Sequence, residues 1–83
     1  MNYKLMDLEI FIKNFAEQFD DVPLDQFNAD TPFRENEEWS SMTALSIIAM
    51  VDDTYAVRLT GDDIRKSITV KDIFDVVFLK ANA

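Results

Sequence analysis

Three segments carry apolar residues at the spacing of an α-helix, and this periodicity narrows the fold more than any other feature. In "LMDLEIFIKNFAEQF", Leu8, Phe11, Ile12, Phe15 and Phe19 follow i, i+3, i+4, i+7 and i+11, with Asp7, Glu9, Lys13 and Glu17 on other faces. From Met42 to Tyr55, the residues Ala44, Ile48, Val51 and Tyr55 keep helical spacing, while Leu45 and Ile47 widen the apolar face. That segment is too long for a strand and too rich in Ala, Leu and Met. A third pattern, Val70, Ile73, Phe74, Val77 and Phe78, closes the chain. Two pairs have the spacing of a capping box: Thr60 with Asp63 ahead of Ile64, and Thr69 with Asp72 ahead of Ile73 and Phe74. They stand so close together that the helix opened by the first must be short. The spacing predicts an all-α four-helix bundle, three longer helices and one short one, in a single domain over residues 1–83.

The link between the first two long helices is itself long. "DDVPLDQFNADTPFRENEE" holds both prolines and many turn-forming Asp and Asn, with Leu24, Phe27 and Phe33 expected to pin it to the core. Such a length marks a functional loop or a necessary crossover. Val57 and Leu59 alternate over too few residues for a strand and are expected to anchor a loop.

Composition removes several kinds of chemistry. With no cysteine and no histidine, the chain lacks disulfides, thiolate ligands, the commonest general base and the commonest zinc ligand. Stability must come from packing, which seven Phe and a 48% hydrophobic content can supply. A formal charge of -8 repels nucleic acid and anionic membranes and favours a basic partner. A calcium loop begun at Asp52 fails, because Thr54 falls at its third position and Val57 where glycine is required. No metal site is expected. No apolar run has membrane-spanning length and "MNYKLMDLEIF" lacks the shape of a signal peptide, so a cytoplasmic monomer is expected.

Chemistry concentrates in "EEWSSMTALSIIAM", residues 37–50. A helix opening near Met42 leaves its first amides without intrahelical partners, and Ser40 suits the N-cap that accepts one of them. Ser41 then stands at the first helical position, where its hydroxyl is not needed for capping and is expected to face solvent. Taken alone it is an ordinary first-turn serine, but a phosphate ester there would lie beside free amides at the positive end of the helix dipole. Trp39, just ahead, either staples the junction or meets a partner.

In this combined pattern the chain resembles the acyl carrier proteins and related phosphopantetheine-binding domains, whose Asp-Ser-Leu triplet opens the second helix. In "SSMTALSIIAMVDDTY", Ser41 takes the place of the modified serine, Met42 that of Leu, Asp52 and Asp53 that of the acidic pair, and Tyr55 that of the aromatic. "VRL" and "SITVKDIFDVV" resemble the family's loop and last helix, so the resemblance covers nearly the whole chain. One departure stands out: Ser40 replaces the aspartate.

The resemblance implies a non-enzymatic carrier. Its covalent cofactor would be 4'-phosphopantetheine on Ser41, placed there by a phosphopantetheinyl transferase, and acyl groups would ride on the arm as thioesters. The matching cargo positions are Ala44, Ile48, Val51, Leu59, Ile64 and Ile73, for which ordinary core packing is the competing reading. Partner enzymes with basic surfaces would meet Glu37, Glu38, Asp52, Asp53, Asp62 and Asp63. Ser46 stands where the family commonly has an acid, and Glu35 adds to the acidity ahead of the helix. That displacement suggests a dedicated lipid, polyketide or surface-polysaccharide pathway rather than general fatty-acid synthesis. Two alternatives share the fold: an unmodified acidic interaction module, and an aminoacyl or peptidyl carrier.

Overall fold

Short polar side chains set the start of every α-helix in the computed structural model, which describes residues 7–20 and 22–83, apart from the Leu24 side chain. The Asp7 carboxylate accepts from the amides of Glu9 at 2.9 Å and Ile10 at 3.2 Å, starting α1 (Leu8–Ala16). Ser40 caps α2 (Ser41–Tyr55), Thr60 caps α3 (Gly61–Arg65) and Thr69 caps α4 (Val70–Ala81). Both expected capping boxes form: each threonine hydroxyl accepts from the N3 amide, and Asp63 or Asp72 returns the bond to the cap amide. Helix α2 ends where Ala56 turns into the left-handed region at φ 56°.

The architecture is the expected all-α bundle of three longer helices and one short one. The first helical pattern is only partly helix, because the chain leaves α1 after Ala16 and Phe19 packs from the turn beyond it. The long connection holds two single-turn 3-10 helices, Leu24–Gln26 and Phe33–Glu35. Phe27 and Phe33 are buried and pin it as expected, whereas the Leu24 side chain lies outside the described residues. Its far end docks on α4, where Thr31 and Ala29 carbonyls accept from the Val70 and Lys71 amides at 3.1 and 2.9 Å. An isolated antiparallel bridge joins Pro32 to Thr69. Two otherwise orphaned first-turn amides of α4 are satisfied in this way.

The core is built on aromatic rings. Phe15 is fully buried, with its ring centroid 6.2 Å from Phe11, 5.8 Å from Phe19, 6.2 Å from Phe27 and 5.5 Å from Phe33. A fully buried Phe contributes roughly 1.5–3 kcal/mol of transfer free energy. Val57 and Leu59 are buried and hold the α2–α3 loop as anchors. The face that α2 presents differs in phase from the sequence pattern. Thr43, Ile47, Met50 and Val51 are buried, Ala44, Ile48 and Tyr55 are half-buried, and Leu45 is 60% exposed. Because α2 is apolar nearly all round, its own period does not select a face, and packing on α1 and α4 decides. On α4, Phe78 is 40% exposed and stacks on Phe74 rather than entering the core. Among the described residues no helix is long and apolar enough to cross a membrane.

Candidate functional site

The junction ahead of α2 is fixed by packing and hydrogen bonds that leave one hydroxyl free. Trp39 is half-buried with its ring 6.1 Å from Phe19 and 5.1 Å from Phe33, so it acts as the staple that sets the chain's entry into the helix. The next residue, Ser40, has extended backbone, and its Oγ accepts from the Thr43 amide at 3.2 Å. Thr43 is itself buried, and its hydroxyl donates to the Glu38 carbonyl at 2.9 Å. The sequence pattern missed Thr43, although its place three residues after the cap is a local signal. Between these two bonded residues, the Ser41 hydroxyl is exposed and makes no hydrogen bond among the described residues. It stands at the first position of the longest helix, with Met42 beside it 70% exposed.

The electrostatics of that position set it apart from the other helix starts. Helix α1 begins with Asp7 and Glu9, α3 with Asp62 and Asp63, and α4 with Asp72, whereas α2 has a serine cap and no acid in its first turn. A chain this acidic therefore leaves the positive end of its longest described helix without a carboxylate in the first turn. The Thr43 amide goes to Ser40 Oγ and the Ala44 amide to the Ser40 carbonyl, while those of Ser41 and Met42 have no acceptor among the described residues. An ester phosphate on Ser41 would find unpaired N–H donors and a favourable dipole next to it.

The six acids matched to partner surfaces fall into two groups. Asp62 and Asp63 are engaged within the molecule. Asp62 pairs with Arg65 at 2.7 Å and Lys66 at 3.5 Å, and the hydrogen bond from Arg65 leads the effects that hold its carboxyl below the usual range. Burial pushes the Asp63 carboxyl upward, but bonds from Lys80, at 2.6 Å, and from Thr60 outweigh it and bring it below the usual value. The other four acids, Glu37, Glu38, Asp52 and Asp53, are exposed and make no ion pair among the described residues. Asp52 and Asp53 line a concavity of about 750 Å³ between α1 and α2, together with Asn14, Glu17, Gln18 and Ser46. Glu37 and Glu38 line a second one, about 390 Å³, with Val22, Pro23 and Glu35. Acidity thus flanks α2 at both ends and leaves its first turn neutral.

The six apolar positions matched to a cargo site belong to one cluster. Val51, Leu59, Ile64 and Ile73 are 0–4% exposed inside it, and Ala44 and Ile48 are half-buried at its margin. Among the described residues no group of three or more acids is arranged to hold a metal ion. No family model, curated protein or solved structure matches the chain.

Proposed function

We propose that the protein is an acyl carrier modified on Ser41 with 4'-phosphopantetheine, with no catalytic activity of its own. The observation that carries this reading is the exposed Ser41 hydroxyl, unbonded among the described residues, at the start of the one described α-helix that begins without a carboxylate. The bound arm would supply a terminal thiol, which holds an acyl group as a thioester. A transferase would join the phosphopantetheine phosphorus of coenzyme A to Ser41 Oγ, breaking the pyrophosphate bond and releasing 3',5'-ADP and the serine proton. Everything else falls to the chain. The Ser41 and Met42 amides with the α2 dipole would hold the negative charge of the phosphodiester. Ser40 caps the helix independently of the attachment point, and Trp39 fixes the angle at which Ser41 is presented. Glu37, Glu38, Asp52 and Asp53, free of internal ion pairs, meet the basic surfaces of the transferase and of the enzymes that load and unload the arm. Ala44 and Ile48, at the margin of the core, are the positions through which an acyl chain would enter. The acidic pattern suits a dedicated lipid, polyketide or surface-polysaccharide pathway, in which the protein works as a cytoplasmic monomer. An aminoacyl or peptidyl carrier would use the same arm.

A second reading, an unmodified acidic interaction module, is favoured by one feature, the serine at position 40 where carriers have aspartate. Intact-mass measurement after incubation with coenzyme A and several phosphopantetheinyl transferases separates the two. The carrier reading expects one added phosphopantetheine on the wild type, none on Ser41→Ala and full addition on Ser40→Ala. No addition to the wild type by any transferase tested removes the carrier reading in favour of the interaction module.

A further inference from the structure

Helix α3 is five residues long, far below the roughly 12–15 at which an isolated helix becomes even marginally stable in water. Ile64 is its one buried side chain, and α3 packs principally on α4. What it lacks in length is supplied by two cations from distant parts of the chain. Arg34, on the 3-10 turn of the long connection, donates from Nη1 to the carbonyls of Ile64 at 2.8 Å and Arg65 at 3.2 Å. These carbonyls lie at the negative end of α3, where a guanidinium also complements the dipole. Lys80, in the last turn of α4, reaches the other end and donates to the Arg58 carbonyl at 3.0 Å and the Asp63 carboxylate at 2.6 Å. The same Asp63 oxygen accepts the Thr60 amide and so closes the capping box. One ammonium therefore supports the cap of α3 and the loop leading into it.

From this geometry we infer that Arg34 and Lys80 are paired brackets that hold α3 as a releasable lid over the part of the core filled by Ile64. Neither bracket is replaceable from within α3, because Arg65 and Lys66 turn to Asp62 on the surface. Release of either cation frees one end of a five-residue helix, which is then held only by the other bracket, the Ile64 side chain, the Ser67 hydroxyl bond to the Asp63 carbonyl and the Thr60 cap. The segment from Gly61 to Ser67 then opens as a unit while α1, α2 and α4 stay packed on the aromatic core. A partner carrying a carboxylate for Lys80 or Arg34 would open this lid by competition. The device stands whether or not Ser41 is modified.

Residue-resolved hydrogen exchange on the full chain tests it, comparing the wild type with Lys80→Gln and Arg34→Gln. Lys71→Gln is the control, since it removes the same charge and the α4 surface pair with Asp75 without touching α3. Loss of a charge-assisted bond of this kind should speed exchange at the amides of Ile64, Lys66 and Ser67 on the order of tenfold in both bracket variants. Amides in the middle of α1 and α4 should keep their wild-type protection. The inference is overturned if the bracket variants match Lys71→Gln at those three amides, or if α3 exchanges in step with α1 in every protein, as global unfolding requires.

Discussion

Replacing the two adjacent serines one at a time should give opposite results. Ser40→Ala removes the oxygen that accepts from the Thr43 amide. Alanine has no acceptor to offer in its place, and the Thr43 hydroxyl, which donates to the Glu38 carbonyl, loses its 3.2 Å bond with Ser40 Oγ as well. The Ala44 amide keeps its bond to the carbonyl of residue 40, so the loss is the cap bond and the hydroxyl contact with Thr43 and not the first turn. A lost serine cap costs about 1 kcal/mol, which for a domain of this size lowers the melting temperature by roughly 4–8 °C. Ser41→Ala removes an exposed hydroxyl that bonds to nothing described and substitutes a better helix former, so its stability should stay within about 0.5 kcal/mol of the wild type. The single tryptophan is a built-in probe, being next to the cap and packed on Phe19 and Phe33. Urea titration followed by its fluorescence, with circular dichroism as a second signal, gives both midpoints on unmodified protein. Equal losses in the two variants would refute the division of roles, since Ser41 would then be holding the helix and would not be free to carry an ester.

Two further substitutions test the fold's local logic. Ala56 is the one described non-glycine residue at positive φ, so Ala56→Gly should raise stability by about 1 kcal/mol in the same urea assay, and an unchanged or lower midpoint would argue against a left-handed cap there. The Asp72 carboxyl is held below its usual 3.8 by bonds from the Thr69 and Ile68 amides, and that of Asp63 lies below it as well. For a depressed carboxyl the stabilisation is complete above the unfolded value and is lost as pH falls through the folded one. The urea midpoint should therefore fall as pH drops below about 4, and Asp72→Asn should flatten that fall; an unchanged acid limb would contradict the role given to this cap.

Which of these features could be read from the sequence follows from how far apart the interacting residues lie. Ser40, Thr60 with Asp63, and Thr69 with Asp72 were legible because a cap is settled within four residues. Asp7 was equally local, yet it reads as a polar-face residue until the helix is known to begin at Leu8. The phase of α2 was not legible: Leu45 and Met50 are comparable apolar residues in an apolar helix, and only the Phe-rich surface opposite leaves one exposed and the other buried. Arg34 and Lys80 gave no signal because their acceptors lie 30 and 31 residues away for Arg34 and 22 and 17 residues away for Lys80, and three of the four are backbone carbonyls. At the candidate site, the sequence identified the two serines, whereas the neutrality of the α2 start became visible only when all four helix starts could be compared.

The ring-to-ring contacts have a consequence for the order in which the molecule is assembled. Phe11, Phe15, Phe19, Phe27, Phe33 and Trp39 all touch one another in a chain of pairs, and all belong to the first half of the sequence. Closing the short loops among them is entropically cheap, so this cluster can gather on a nascent chain before α2 has left the ribosome. Val70 and Lys71 must wait for the opposite case, since their amides are received by carbonyls some forty residues upstream that are already in place. The long connection would then act as a template, waiting beside the early aromatic cluster for the last helix to be synthesised.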